Sequence, residues 1–177
     1  MLLLLVASVA RADEPARLAD LRAAPLESGW EAQVRLEGAF QDEIVEKIES
    51  GLAVTFRYIF EVVRPRGLVG STLSRRQIEV TVEHDSLTRQ YRLTRTLDGE
   101  SPQTTATDKE EEMRRWMTEL QRVRLPALQD GTPFPAGAVL RARCRLSSGF
   151  VLVFFPYAQE TPWLRVPLYP PEPSNGN

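Results

Sequence analysis

Chemically reactive side chains are scarce in this sequence, which has one cysteine, one histidine and two lysines among 177 residues. Because an intramolecular disulfide needs two cysteines, Cys144 cannot form one. Zinc sites combine several histidines and cysteines at short spacing, and no such spacing is present. The glycine-rich phosphate loop, the serine-hydrolase elbow, the dinucleotide-binding fingerprint and the zinc-protease helix are absent as well. We therefore predict a protein that is not an enzyme and has no catalytic, cofactor-binding or metal-binding residue.

Long apolar runs and a large net charge are also missing. After Asp13, no apolar stretch approaches the roughly 20 residues that span a bilayer, so we predict no membrane span in the mature chain. The net charge of -2 gives no general attraction to nucleic acid. A hydrophobic content of 42% and a charged content of 26% are typical of a globular protein, and this length favours one domain.

The N-terminus has the pattern of an export signal. The apolar run from Leu2 to Ala10 leads into Ala10-Arg11-Ala12, and signal peptidase cuts after small residues at the last and third-last positions. We predict a signal peptide over residues 1–12 and a periplasmic or otherwise exported protein. No basic residue precedes the run, and a signal truncated at its start by a mis-called start codon would explain this. The alternative is that the run begins a buried helix.

Alternation with period two predicts that much of the remaining chain forms strands. The strongest strand has Val54, Phe56, Tyr58, Phe60 and Val62 on one face, and further apolar residues on its other face favour a central position. A hairpin follows over residues 78–94. A later strand, from Ala138 to Leu146, carries one basic face. The continuous apolar run Phe150–Phe155 predicts a strand within a packed core rather than an exposed edge.

Two amphipathic helices interrupt the strands. The first falls between Phe40 and Ile48. The second begins at Thr107, which fits a capping box with Glu110, and extends to Arg124. Its apolar stripe consists of Met113, Trp116, Met117, Leu120 and Val123.

Together these elements predict an α+β fold, with a mostly antiparallel, twisted β-sheet or sandwich of about six or seven strands and two helices packed on it. Residues 13–27, which contain Pro15 and Pro25, are predicted to be a linker. A single α+β domain is predicted over residues 28–168. The proline-rich end, residues 169–177, is predicted to be a disordered tail.

Part of the chain resembles a known family. The residues that carry the resemblance are Gly51-Leu52, Phe56, Glu61, Arg64-Pro65-Arg66 and Leu87-Thr88-Arg89-Gln90-Tyr91-Arg92. They are similar to a family of exported proteobacterial proteins known as a domain of unknown function, number 4390, over roughly Trp30 to Leu168. The resemblance implies export and a strand-rich fold, and it implies no activity and no catalytic residue.

Three features that suggest chemistry have simpler structural explanations. His84, Asp85 and Ser86 are consecutive, so they cannot form a hydrolase triad, and we interpret them as a strand end and a turn. Cys144 shares the face of apolar neighbours and is interpreted as a packing residue. The carboxylates Glu110–Glu112 stabilise the start of the second helix through its dipole.

Arginines provide the one candidate binding site. Arg64, Arg66, Arg75 and Arg76 surround a predicted loop, and loops commonly carry binding residues. We predict that these four bind an acidic partner. The arginines on the later strand, Arg141, Arg143 and Arg145, are interpreted instead as a solvated face offset by Glu61, Glu79 and Glu83.

The function predicted from these observations is that of a non-enzymatic, exported cell-envelope protein that binds another macromolecule. The partner would be another envelope protein or an anionic envelope polymer, not nucleic acid, contacted through a loop or a sheet edge. One alternative is a carrier of an apolar ligand held between helices and sheet, lined by Met113, Trp116 and Met117. A second alternative is an enzyme whose site is scattered along the chain.

Cell fractionation tests the export prediction. The mature protein is expected outside the cytoplasm, with an N-terminus at or near Asp13 when the purified protein is sequenced by mass spectrometry. A cytoplasmic protein that retains Leu2–Leu5 would contradict the predicted signal peptide.

Overall fold

The computed structural model describes residues 14–27, 29–64, 71–100, 102–128, 132–148 and 158–168. These residues form two helices, α1 (Asp42–Glu49) and α2 (Glu110–Thr118), and ten strands. The strands are β1 (Arg17–Leu26), β2 (Gly29–Glu37), β3 (Val54–Arg64), β4 (Ser71–Asp85), β5 (Gln90–Leu97), β6 (Gln103–Thr107), β7 (Glu119–Leu125), β8 (Val139–Ser148), β9 (Ala158–Glu160) and β10 (Leu164–Pro167).

Strand β3 lies at the centre of the larger sheet. Its apolar residues Val54, Phe56, Phe60 and Val62 are 0% exposed, and it pairs antiparallel with β4 on one side and β8 on the other. The strand order β10-β8-β3-β4-β5-β6, with β9 also paired to β8, makes a seven-stranded antiparallel sheet. The predicted α+β fold, with its central strand, its hairpin and two helices, is confirmed.

The linker predicted over residues 13–27 is a strand over most of its described length. Residues 17–26 form β1, which pairs with β2, and β2 pairs with β7 to complete a three-stranded sheet. The β1–β2 register shifts between Ala19 and Arg22, where Asp20 has a positive φ of 53°. Such a bulge turns Leu18 and Leu21 to the same side, and both are buried. The strand was missed because the bulge breaks the period of two.

The second helix is shorter than predicted, for a related reason. It ends at Thr118, and residues 119–125 form β7. A second bulge lies in β7, where Arg122 has a φ of 55° and the register to β2 shifts. Leu120 and Val123 therefore share a buried face, and their spacing imitates that of a helix. At the helix start, the Thr107 hydroxyl contacts Glu112, 2.8 Å away, and the predicted capping box with Glu110 is not formed.

One apolar core joins the two sheets and both helices. The smaller sheet contributes Trp30 and Val34, α1 contributes Ile48, and α2 contributes Met117. At the end of β2, Gly38 has a φ of 67°, and a β-carbon there would lie 2.9 Å from the carbonyl oxygen of Glu14. Only glycine fits this close approach, which brings the start of β1 against the end of β2.

Several sequence predictions fall on residues that the structure does not describe. These are the signal peptide over 1–12, the apolar strand Phe150–Phe155, the tail over 169–177 and the side chain of Arg66. In the part of the chain that is described, neither helix has the length and apolar character needed to cross a membrane.

Candidate binding groove

The four arginines predicted to bind a partner do not share one loop. Arg64 is the last residue of β3, and Arg75 and Arg76 lie inside β4, which begins at Ser71. The start of β4 was missed because its polar sequence lacks apolar alternation. The role of the four arginines in binding stays a prediction.

Neighbouring residues in a strand point to opposite faces, and this separates Arg75 from Arg76. Arg75 lies beside Glu61, with 3.6 Å between nitrogen and oxygen, and its side chain is 55% exposed. Arg76 is opposite the buried Phe60, and it forms an ion pair of 3.0 Å with Asp98 while only 17% of its side chain is exposed. These two arginines therefore do not form a common surface.

Carboxylates neutralise the basic face of β8, but of the three expected to do so only Glu61 pairs with it among the described residues. Glu79 pairs with Arg57 and Glu83 with Arg92 instead. Arg141 bonds to the buried carboxylate of Glu61 at 2.6 Å. Arg143 bonds to Glu160 at 2.9 Å, and the guanidinium groups of both arginines lie over the ring of Trp163, at 4.4 and 4.7 Å from its centre. Glu160 was not anticipated, because it comes from β9 on the far side of β8. This face is held together by its own contacts.

His84 and Cys144 occupy the strand positions that the sequence predicted. His84 ends the core-facing side of β4 and lies against the ring of Tyr91, with 4.8 Å between ring centres. Cys144 is 0% exposed, and burial raises the pKa of its thiol well above the ordinary value. Among the described residues, no three histidine, cysteine, aspartate or glutamate side chains gather as a metal site.

A groove lies between the larger sheet and the segment formed by α2 and β7. It has two lobes that share Arg95 and Gln121, and we name it the Arg95 groove. The apolar lobe has a volume of about 270 Å³, and its apolar walls are Ile78, Leu97, Leu120 and Val123. Gln103 of β6 and the arginines Arg122 and Arg124 of β7 also line this lobe. The polar lobe has a volume of about 360 Å³ and is lined by Glu112, Arg115, Trp116 and Glu119.

Arg95 stands on the core-facing side of β5. It pairs with Val80 and shares the face of the buried Leu93. One terminal nitrogen donates to the carbonyl oxygen of Trp116 at 3.0 Å, and the guanidinium lies 4.5 Å from the centre of the Trp116 ring. The buried Nε has no acceptor among the described residues. Burial lowers the pKa of Arg95 because it penalises the charged form.

The groove arginines differ from the arginines on the outer face of the larger sheet. On that outer face, six arginines lie within 3.7 Å of a carboxylate, namely Arg57, Arg75, Arg92, Arg141, Arg143 and Arg145. In the groove, the arginines are Arg95, Arg115, Arg122 and Arg124. None of these four forms an ion pair with a residue in the described part of the chain. Of the groove carboxylates, Glu112 is bonded to Lys109 and Thr107, and these bonds lower its pKa.

Two strand edges border the groove. β6 is the last strand of the larger sheet, and β7 is the last strand of the smaller one. Each therefore has one side without a strand partner among the described residues. A strand edge presents unpaired N–H and C=O groups to any chain that approaches it.

A family model described as "Domain of unknown function (DUF4390)" matches residues 13–149. The chain belongs to this family. The match spans β1 to β8 and so includes Arg95 and both strand edges of the groove. No curated protein and no solved structure matches the chain.

The groove of this DUF4390 domain was not predicted from the sequence, although one signal for it was present. In β5, Tyr91, Leu93 and Leu97 alternate with polar residues, and Arg95 occupies the apolar side of that pattern. A charged residue on the core-facing side of a strand needs a partner or access to solvent. The groove arginines of β7 were not recognised either, because they were assigned to the end of a helix.

The positions of Arg75 and Arg76 predict different effects on stability. We expect Arg76→Gln to lower the free energy of unfolding by about 1 kcal/mol, because a half-buried ion pair is lost and Asp98 keeps only its hydrogen bond from the Gln77 amide. The control Arg75→Gln, whose side chain is mostly exposed, should change it by less than about 0.5 kcal/mol. Urea unfolding followed by circular dichroism measures both. Equal effects would contradict the separation of the two side chains.

Proposed function

We propose that this protein is a non-enzymatic, exported binding protein that holds an extended segment of another protein in the Arg95 groove. The observation that supports this most is that two unpartnered strand edges, β6 and β7, border one groove. A strand added to a sheet edge gains main-chain hydrogen bonds, and pockets for alternate side chains give it specificity.

The composition of the two edges suits reversible binding. Residues 103–106 of β6 are exposed and polar or small, so the free edge of β6 is not prone to aggregation. On β7 the bulge at Arg122 interrupts the regular ladder. Because bulges commonly terminate pairing, they limit how far a partner strand can extend.

The groove suits a small apolar ligand less well. Binding sites for small molecules commonly have volumes of about 300–1,000 Å³ and surround most of the ligand. The apolar lobe, at about 270 Å³, lies just below that range. Met113 and Met117, which were considered as lining for such a ligand, are 2% and 0% exposed and belong to the core. Of that set, Trp116 alone faces the groove described here.

The polar lobe does not have the properties of a catalytic site either. A general acid or base works best when its pKa is close to the ambient pH. The pKa of Glu112 is lowered by its bonds to Lys109 and Thr107, so this carboxylate stays ionised. The thiol of Cys144 is buried and stays protonated, and no described nucleophile stands beside a base in the lobe. These observations favour binding over catalysis.

Export is part of the proposal because of the apolar run and the Ala10-Arg11-Ala12 site at the N-terminus. A periplasmic or otherwise exported protein meets partners on the outer side of the cytoplasmic membrane. Strand addition is a suitable way to hold them, since it needs no cofactor or energy source.

Site-specific photocrosslinking in cells tests the proposed function. A photoreactive amino acid at Gln121, which lines both lobes, and one at Gln103 of β6 should yield the same crosslinked partner. The control position is Thr96, which lies on the opposite face of β5 from Arg95 and should not yield that product. If Thr96 yields it equally, or if Gln103 and Gln121 yield none, the groove is not the binding site.

A further inference from the structure

We propose that the segment bound in the Arg95 groove carries a side-chain carboxylate that is held by the guanidinium of Arg95. This inference rests on the proposed function and names the chemistry of the partner. It concerns an extended polypeptide with an acidic residue, and it follows from the donors, charges and geometry of the groove.

The guanidinium of Arg95 has donors that the described residues do not use. A guanidinium carries five N–H donors. Among the described residues, the one acceptor bonded to Arg95 is the carbonyl oxygen of Trp116, at 3.0 Å. Arg95 lines both lobes, and its Nε is buried, so a ligand in the groove would be met by the N–H groups of the two terminal nitrogens. A carboxylate suits such a fork, because two parallel hydrogen bonds join the two groups.

The charge around Arg95 favours the same ligand. Four arginines line the groove, against two carboxylates, Glu112 and Glu119. Arg115, Arg122 and Arg124 form no ion pair with a described residue, while Glu112 is already bonded to Lys109. The groove therefore has an excess of positive charge, although the whole chain has a net charge of -2. An acidic segment would be attracted to the groove before it makes any contact.

The arrangement of the lobes also predicts a spacing within the bound segment. Along a strand, side chains on the same face recur every second residue, about 7 Å apart. If one side chain of the bound strand meets Arg95, the next on that face can enter the apolar lobe beside Leu97 and Val123. We therefore expect an acidic residue and an apolar residue two positions apart.

Selection from a random heptapeptide display library on the immobilised mature protein tests this inference. The wild type should enrich peptides with aspartate or glutamate two positions from an apolar residue. Selected peptides should bind Arg95→Gln at least about tenfold more weakly, which corresponds to about 1.4 kcal/mol. Arg57→Gln is the matched control, because Arg57 lies on the outer face in an ion pair with Glu79 and should leave binding unchanged.

A second variant keeps the test valid if Arg95→Gln disturbs folding by freeing the Trp116 carbonyl. Arg95→Lys keeps the charge but lacks the planar fork. It should therefore bind the acidic peptides more weakly than the wild type does. The difference in affinity between each acidic peptide and its glutamine counterpart should also be smaller. Circular dichroism and thermal unfolding confirm that each variant is folded. If the advantage of the acidic peptides is unchanged in Arg95→Lys and in folded Arg95→Gln, the inference is wrong.

The remaining outcomes separate this inference from the proposed function. If the selected peptides show no preference for acidic residues, the inferred carboxylate contact is wrong. The proposed binding of an extended segment would still stand. A different result would be that no peptide is selected and that dextran sulfate binds in a way that depends on Arg95. The groove would then bind an anionic polymer, and the peptide proposal would be wrong. If neither a peptide nor dextran sulfate binds, the carboxylate inference is wrong. The photocrosslinks from Gln103 and Gln121 then decide whether the groove binds a partner at all.

Discussion

The fold depends on how the larger sheet satisfies the carbonyl groups at the end of α2. The last carbonyls of a helix have no partner within it, and here the chain passes from Thr118 directly into β7. Two of these carbonyls accept hydrogen bonds from side chains of the larger sheet. The buried hydroxyl of Tyr58 donates to Met117 at 2.8 Å, and Arg95 donates to Trp116 at 3.0 Å. These bonds act with the buried side chains of β7, such as Leu120, to hold β7 against the larger sheet, and β7 in turn pairs with the smaller sheet.

The same contacts account for the groove. Because α2 ends over β5 and the chain then becomes β7, a gap remains between β7 and the edge strand β6. Arg95 closes the floor of the gap and carries a positive charge at the negative end of the helix dipole, where a cation is favoured. The Trp116 ring covers one side of its guanidinium. A residue that stabilises the helix end is thus also positioned to meet a ligand.

The fold could be predicted where apolar and polar residues alternate regularly along a strand. It could not be predicted where a bulge interrupts that alternation. The alternation from Val54 to Val62 correctly predicted the central strand. β1 and the second half of the expected helix were misassigned because bulges at Asp20 and Arg122 bring residues three positions apart to one face. The groove could not be predicted because it depends on how two sheet edges meet in space. The one sign of the groove in the sequence was Arg95, a charged residue on the apolar face of β5.

Amide hydrogen exchange of the protein with a selected acidic peptide tests the central claim most directly. If the peptide adds a strand in the groove, exchange of amides in β6 (103–107) and β7 (119–125) should slow, since hydrogen-bonded amides are protected. Amides of β10 (164–167), an edge at the far end of the larger sheet, should exchange at an unchanged rate. Slower exchange in β10, with β6 and β7 unchanged, would contradict the account.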